Sequence, residues 1–583
     1  MKQTAIACAK QPVKLVKNEA AEKIQVLLTL ALREYHAGRM AEVERCCLQI
    51  LAADVRQADA LYLLGMAGFK TERYGMAERM IRRAIAINGR QPFYHANLGN
   101  VLRAQDKIDE SIPCFERALA IMPDHHEACY NLGNVYLGKK QLDQAAALYR
   151  RALAIKPDYA DALCNLGTVH RQQKRLDEAV DCFRRALAIT PDHADLCCNL
   201  GDALHGQGKV EEAIGWYMRS LSLNPNHHKS CNCLCNANFD LGNLDESTAW
   251  CERALALKPD YGDALMNQCL LQLLKGDYVN GWRNYEVRWK VYTPRTSPQP
   301  KWLGGPLNGA RIMLHAEQGL GDSLQFLRYV PIVQAAGGKV MLDLPVKLRR
   351  IATQLPGVMA FVNTGDPLPY FDCHTPLMSL PLCFGTTLEN IPARVPYLSA
   401  PPEALQAAAA LPWPSSGLKV GVAWTGNPDH PKNGFRSVPL ELLEPLFGIE
   451  GVHFFSLQIG PEAAELAVRK LQITDLAPAT TDMADTAAQM AHLDLVITID
   501  TSMAHLAGAL ARPVWVLLSH TPDWRWLIDR EDSPWYPTAR LFRQQKPGEW
   551  QSVIERVRSA LIDLVKHTSL KQDSQEEAVQ LSM

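Results

Sequence analysis

The chain has 583 residues, 61 basic and 62 acidic, for a formal net charge of −1. That length supports two or more domains with sizeable cores, and the balanced charge provides no overall field for nucleic acid or an anionic membrane. No run approaches the ~20 apolar residues of a membrane helix, and the apolar stretch before Lys10 is shorter than the ~7–15 residues of a signal-peptide core.

Sixteen cysteines are scattered singly, mostly within helical patterns, as reduced thiols packing helices in a cytoplasmic protein would be. Residues 1–20 have no periodic pattern and are predicted to be disordered. From residue 21 the phrase PDxxxAxxNLG recurs, with starts at Pro123, Pro157, Pro191, Pro225 and Pro259. Extending the frame back to Gly89, Val55 and Ala21 tiles residues 21–292 with eight windows and no gap. Leu98-Gly99, Leu132-Gly133, Leu166-Gly167 and Leu200-Gly201 leave a side chain out in mid-helix, which only close helix approach repays. Ala77, Ala145, Ala179 and Ala213 are the matching small residues on the second helix. Phe115, Tyr149, Phe183 and Tyr217 fill the space beside Ala118, Ala152 and Ala186. The junction proline is expected to end one helix and open the next. Each pair leaves an apolar face for its neighbour to cover, which makes a solenoid.

Period and pattern resemble the tetratricopeptide repeat (TPR), so the first half is expected to be an α-helical TPR superhelix. A column of amides, Asn97, Asn131, Asn165 and Asn199, precedes the Leu-Gly pair, Asn267 holds the same position of the eighth window, and Asn100, Asn134 and Asn236 stand three residues after the column position on the same face. Such a stack can hydrogen-bond an extended backbone. It is similar to the asparagine ladder of O-GlcNAc transferases, which implies a protein or peptide acceptor in the concave groove. Solvated or capping amides are the alternative. Cys231, Cys233 and Cys235, near His227 and His228, fall on positions the repeat already defines and lack the C-x₂₋₄-C pairs of structural zinc. They are read as packing, and no metal site is predicted.

Residues 293–310 are rich in Pro and Gly and read as a linker. Beyond them short β-branched runs alternate with helical stretches: 311–316, 339–344, 419–424, 453–458, 494–500 and 513–518. Alternation of this kind predicts doubly wound parallel α/β structure. Two clusters, 311–411 and 418–565, suggest paired Rossmann-like lobes facing a cleft. The polar residues 566–583 are predicted to be disordered.

Four segments carry chemistry. HAEQGLGDSLQFLRYVP (315–331) is a strand, a turn with Gly319 and Gly321, and a helix with Asp322 at or beside its cap. GVAWTGNPDHPKNGFRSVPLELL (421–443) sets Thr425, Gly426 and Asn427 after a strand, a suitable edge for a diphosphate, with Lys432 and Arg436 as cations. The stretch 457–471 carries Gln458 and Glu462. The stretch 481–510 carries Met483 and then Asp500, Thr501 and Ser502 at a strand-to-helix turn, with His505 just beyond. Asp322 serves equally as a helix cap, Glu462 as a partner of the helix dipole, and Met483 as core.

These segments resemble heptosyltransferase-type glycosyltransferases of the GT-B fold. The resemblance implies Asp322 as general base on the acceptor hydroxyl, and the remaining residues from Gly319 to His505 as the nucleotide-sugar site. Arg436 replaces that family's phosphate-binding lysine, and Asp-Thr-Ser replaces its Asp-Thr-Gly. The aromatic stretch 521–544 is expected to close over sugar or acceptor. The α/β half has no Asp-x-Asp motif, P-loop, hydrolase elbow or G-x-G-x-x-G fingerprint. No resident cofactor is therefore expected, and the nucleotide-sugar enters as co-substrate. The whole is expected to be a metal-independent, inverting glycosyltransferase acting on a protein held by the TPR groove, and the sequence leaves room for a homo-oligomer. The alternative is a TPR adaptor with an inactive transferase-like domain.

Overall fold

The computed structural model describes residues 12–291, 297–362, 368–428, 430, 433–469 and 471–580. They divide into two compact units, one ending at His227 and one beginning at His228.

The first unit is a succession of antiparallel helix pairs, for example His126–Gly138 with Leu142–Ile155 and Ala160–Gln172 with Leu176–Ile189. The missing side chains of the Leu-Gly positions have a steric cause. A Cβ at Gly133 would lie 2.7 Å from the Tyr149 ring, and one at Gly201 would lie 2.5 Å from the Tyr217 ring. Phe115, Tyr149, Phe183 and Tyr217 are fully buried, as are Ala77, Ala145, Ala179 and Ala213. The junction prolines differ from expectation. Pro123, Pro157 and Pro191 lie in the turn, three residues before the next helix begins, whereas Pro92 opens the helix Pro92–Ala104. The asparagine column lies half-buried between neighbouring repeats. Asn97 Nδ2 donates to the Tyr62 hydroxyl (2.7 Å) and Asn165 Nδ2 to Asn134 Oδ1 (2.8 Å). Asn199 Nδ2 donates to Cys164 Sγ (3.6 Å), and Asn131 Oδ1 accepts from Arg103 (3.5 Å). At the N-terminus the first helix already starts at Pro12, where composition predicts disorder.

The second unit begins with two further helix pairs, His228–Asp240 with Leu244–Leu257 and Gly262–Leu274 with Tyr278–Tyr285. Cys231 and Cys235 are buried in this packing, and the described cysteines are free thiols. A four-stranded parallel sheet follows: β1 (Arg311–His315), β2 (Lys339–Asp343), β3 (Ala360–Val362) and β4 (Cys373–Pro376), in the order β3-β2-β1-β4. A six-stranded parallel sheet comes next: β5 (Leu418–Ala423), β6 (Val452–Ser456), β7 (Thr474–Asp475), β8 (Leu495–Ile499), β9 (Val514–Leu518) and β10 (Ala539–Arg543). Its order is β10-β9-β8-β5-β6-β7. Strands β8 and β9 are buried at every position and read as unbroken apolar runs because helices cover both faces.

Three expectations are revised. The compact division falls at 227/228 rather than in the Pro-rich segment, because the last two helix pairs bury aromatic faces in the α/β core. Trp282 packs edge-on to Trp524 at 5.0 Å, and the Trp535 indole donates to the Tyr278 hydroxyl at 3.0 Å. The described part of 293–310 is packed rather than a free linker: Trp302 and Leu307 are buried, and the Trp302 amide donates to the His374 carbonyl at 2.7 Å. The C-terminal helix runs Trp550–Gln580, so the backbone of 566–580 is helical where polarity predicts disorder. Its Lys, Gln, Glu and Ala are strong helix formers. No helix among the described residues is long and apolar enough to cross a membrane.

Candidate active site

In open parallel sheets, ligands bind beyond the carboxyl ends of the strands where the strand order reverses. In the large sheet that point lies between β5 and β8. The turns leaving β5 (Thr425–Pro428), β6 (Leu457–Glu462) and β8 (Asp500–Met503) meet the Gly319–Asp322 turn that follows β1 around a cavity of about 600 Å³. This cavity gathers Gly319, Gly321, Asp322, Thr425, Gly426, Asn427, Arg436, Gln458, Glu462, Met483, Asp500, Thr501, Ser502 and His505. Lys432 lies outside the described residues. Within the cavity several of these side chains have structural tasks that sequence alone does not reveal.

Gly321 allows one helix to approach another: a Cβ there would lie 2.7 Å from the His505 ring and 3.6 Å from Ser502 Cα. Gly426 makes room for Arg436, whose Nη2 would be 2.6 Å from an added Cβ. The Arg436 guanidinium donates from Nη1 to the Asp500 carbonyl (2.9 Å), and its buried Nε has no partner among the described residues. A cation with an unspent donor therefore stands against the strand-to-helix turn. Thr501 caps the helix Ser502–Ala509 by accepting from the Met503 amide (3.3 Å). Gln458 is occupied in holding the β5 exit. Its Oε1 accepts from the Trp424 and Thr425 amides (3.2 and 3.1 Å), and its Nε2 donates to the Ile459 carbonyl. Met483 is buried in the core and also faces the cavity. His505 hydrogen-bonds the Tyr536 hydroxyl (3.0 Å) and stacks on Trp526. Burial holds its pKa well below the usual value, so it is neutral.

Asp322 is engaged at both oxygens. Oδ2 accepts from the Gly319 amide (2.8 Å), and Oδ1 pairs with Arg525. Arg525 also donates to Asp523 Oδ1 (2.8 Å) and to Gln325 Oε1 (2.6 Å). Burial raises the Asp322 pKa, and Arg525 opposes the rise. Burial, and then the Asp523 carboxylate, push Asp500 up to about 6. Arg525 is the residue the sequence reading failed to single out. It sits between two tryptophans in a stretch expected to cover the ligand, yet Trp526, Trp535 and Tyr536 are fully buried and Trp524 almost so. These aromatics pack into the core, Trp526 stacked on His505 and Tyr536 hydrogen-bonded to it, because burying such large apolar surfaces outweighs leaving them on a loop.

A second cavity, of about 890 Å³, adjoins the first and shares Gln318, Gly319, Asp322, Arg436, Asp500 and Asp523 with it. Behind its wall Arg288 is fully buried and pairs with Glu317 through two bonds (2.8 and 3.0 Å), with Glu286 (2.8 Å) and with the Ser379 hydroxyl (2.7 Å). The Tyr285 hydroxyl meets Gln318 at 3.1 Å. The end of the eighth repeat thus braces the turn that carries Asp322.

Residues 58–90, 93–158 and 158–226 match tetratricopeptide repeat models, and residues 450–570 match glycosyltransferase family 9 (heptosyltransferase). The chain therefore carries TPR repeats and a glycosyltransferase family 9 domain. The family 9 match covers the β6–β10 region and not Asp322 or Arg436. Protein FlbA of Caulobacter vibrioides is 30% identical over 327 residues, covering 50% of this chain and 53% of FlbA. The chain thus spans about half the length of that relative. Among solved structures, YrrB, described as a TPR protein with an unusual peptide-binding site, is 21% identical over 32% of this chain and 95% of its own (TM-score 0.29). PilF of Pseudomonas aeruginosa is 18% identical over 36% and 96% (TM-score 0.33).

Proposed function

We propose that the protein is a glycosyltransferase moving a sugar from a nucleotide-sugar to a protein or peptide acceptor held by the TPR groove. The reading rests on the gathering of Asp322, Arg436 and the Asp500–Ser502 turn around one 600 Å³ cavity, of which the Asp500–Ser502 turn lies within the family 9 match. The donor diphosphate lies against the amides that open the helix Ser502–Ala509, with the Arg436 fork neutralising it. Asp322 takes the proton of the acceptor hydroxyl, whose oxygen attacks the anomeric carbon as its bond to the diphosphate breaks. A single direct displacement inverts that carbon. Fixed cations and amide dipoles stabilise the departing charge without calling for a metal.

Thermal melts of the full chain with UDP-, GDP- and ADP-sugars test this. One class is expected to stabilise the fold, by about 2.7 kcal/mol at a hundredfold excess over Kd. Arg436→Ala should abolish the shift. Asp322→Asn should keep it while turnover falls by roughly 10²–10⁴. The departures at Arg436 and Ser502 from the family pattern favour the rival reading, a TPR adaptor with an inactive domain. No shift and no hydrolysis across the panel would establish that rival.

A further inference from the structure

The turn after Arg525 holds two residues in a strained conformation. Leu527 has φ +53° and ψ −166°, and Asp529 has φ +53°. This left-handed region is open to glycine, whereas a bulky residue stays there only when its surroundings fix it. Leu527 is buried, so packing accounts for part of the hold. The rest comes from the far end of β10. Bending the chain in this way turns three main-chain carbonyls toward one point, and the Arg543 guanidinium stands at it. Nη2 donates to the Trp526 carbonyl (2.6 Å), Nη1 to the Leu527 carbonyl (3.0 Å) and Nε to the Arg530 carbonyl (2.7 Å). Converging carbonyl dipoles repel one another unless a cation lies between them, and a planar fork of donors suits three of them better than an ammonium does.

What the turn carries is Arg525. On one side the Arg525 amide donates to Asp523 Oδ1 (3.0 Å). On the other side Trp526 is fixed twice, through its carbonyl by Arg543 and through its ring by the stack on His505. With both neighbours held, the Arg525 guanidinium lies over the Trp524 ring, 4.2 Å from its centroid, and reaches Asp322, Asp523 and Gln325. Arg543 itself lines neither cavity. If Leu527 relaxed to negative φ, the peptide planes on either side would swing, and the Arg525 fork would lose its register with Asp322.

We infer that Arg543 is a positioning residue: it gathers the Trp526, Leu527 and Arg530 carbonyls into the strained turn that delivers Arg525 to Asp322. It acts on the proposed base only through Arg525. The inference rests on the transferase reading for its kinetic test, and on the geometry alone for its thermal one.

Two measurements on the full chain test this. In thermal melts at pH 7.5, Arg543→Gln and Arg525→Gln should each lower Tm. The double variant should lose no more than about two-thirds of the summed drops, because much of what Arg525 contributes is already gone. In turnover of whichever nucleotide-sugar stabilises the chain, Arg543→Gln should lower kcat by about tenfold, while the donor KM stays within about twofold. The acid limb should move up by roughly 0.5–1 pH unit, in the direction of Arg525→Gln, since a displaced cation opposes the burial of Asp322 less well. Arg543→Lys keeps the charge without the fork. It should change the same quantities in the same directions by less, and it carries the test if the Gln variant does not fold. Additive Tm losses, an unmoved acid limb in a destabilised variant, or a raised donor KM with kcat unchanged would overturn the inference. Absence of donor turnover in the wild type removes the transferase reading, and the thermal cycle alone then decides this one.

Discussion

The clamp on Asp322 makes the sharpest energetic prediction. Arg525 is 9% exposed at its side chain, and its fork spans Asp322, Asp523 and Gln325. Replacing it by Gln leaves the largely buried Asp322, and the half-buried Asp523 beside it, without their cation. Breaking one side of such a pair costs about 3–5 kcal/mol, whereas a surface ion pair is worth about 0–1 kcal/mol. Asp322→Asn removes the other partner but keeps an acceptor for the Gly319 amide. The double variant Asp322→Asn/Arg525→Gln should therefore lose less than the sum of the single losses, by at least about 1–2 kcal/mol of coupling. Urea unfolding of the four proteins at pH 7.5 measures the cycle. A second readout follows from charge: without Arg525 the burial of Asp322 is opposed only by the Gly319 amide, so the acid limb of any turnover profile should move to higher pH. Additive single effects, or an Arg525→Gln loss no larger than a surface pair, would refute the buried clamp.

Asp500→Asn tests the neighbouring carboxylate. Its folded pKa is raised from 3.8 to about 6, so its contribution to stability is present below about pH 4 and is lost as pH rises through 6. The Asn variant should gain about 1–2 kcal/mol over wild type at pH 7.5 and nothing at pH 4, by thermal melts at both. In the repeats, Gly133→Ala should lower stability by about 1–3 kcal/mol through the Tyr149 clash. Gly215→Ala, in mid-helix with open space around it, should raise stability by about 0.5–1 kcal/mol. A fragment from residue 228 should unfold cooperatively, whereas one from residue 297 should not, because it lacks the Tyr278, Trp282 and Arg288 contacts; calorimetry distinguishes the two.

The sequence alone determined the elements whose cause is local and repeated. A fixed period with small and aromatic residues at constant offsets can be satisfied only by stacked helix pairs, and the Gly–aromatic contacts supply the reason. The six apolar runs of the two sheets were legible because strands covered on both faces need no alternation. The short edge strands β3, β4 and β7 carried too few residues to stand out, and β10 lay hidden in an aromatic-rich stretch. The turns that line the cavity could be placed because glycines and caps mark strand exits.

Tertiary structure alone decided how the side chains share the work. Gln458 turned inward to hold the β5 exit, the asparagine column bonded between repeats, and the tryptophans of 521–544 sank into the core, carrying Arg525 to Asp322 across 203 positions of sequence. It also moved the boundary to His228, by burying the last two repeats against the transferase lobes. Local periodicity specifies backbone shape, whereas the partner of a buried charge or ring is chosen only when distant segments meet and must satisfy one another out of water.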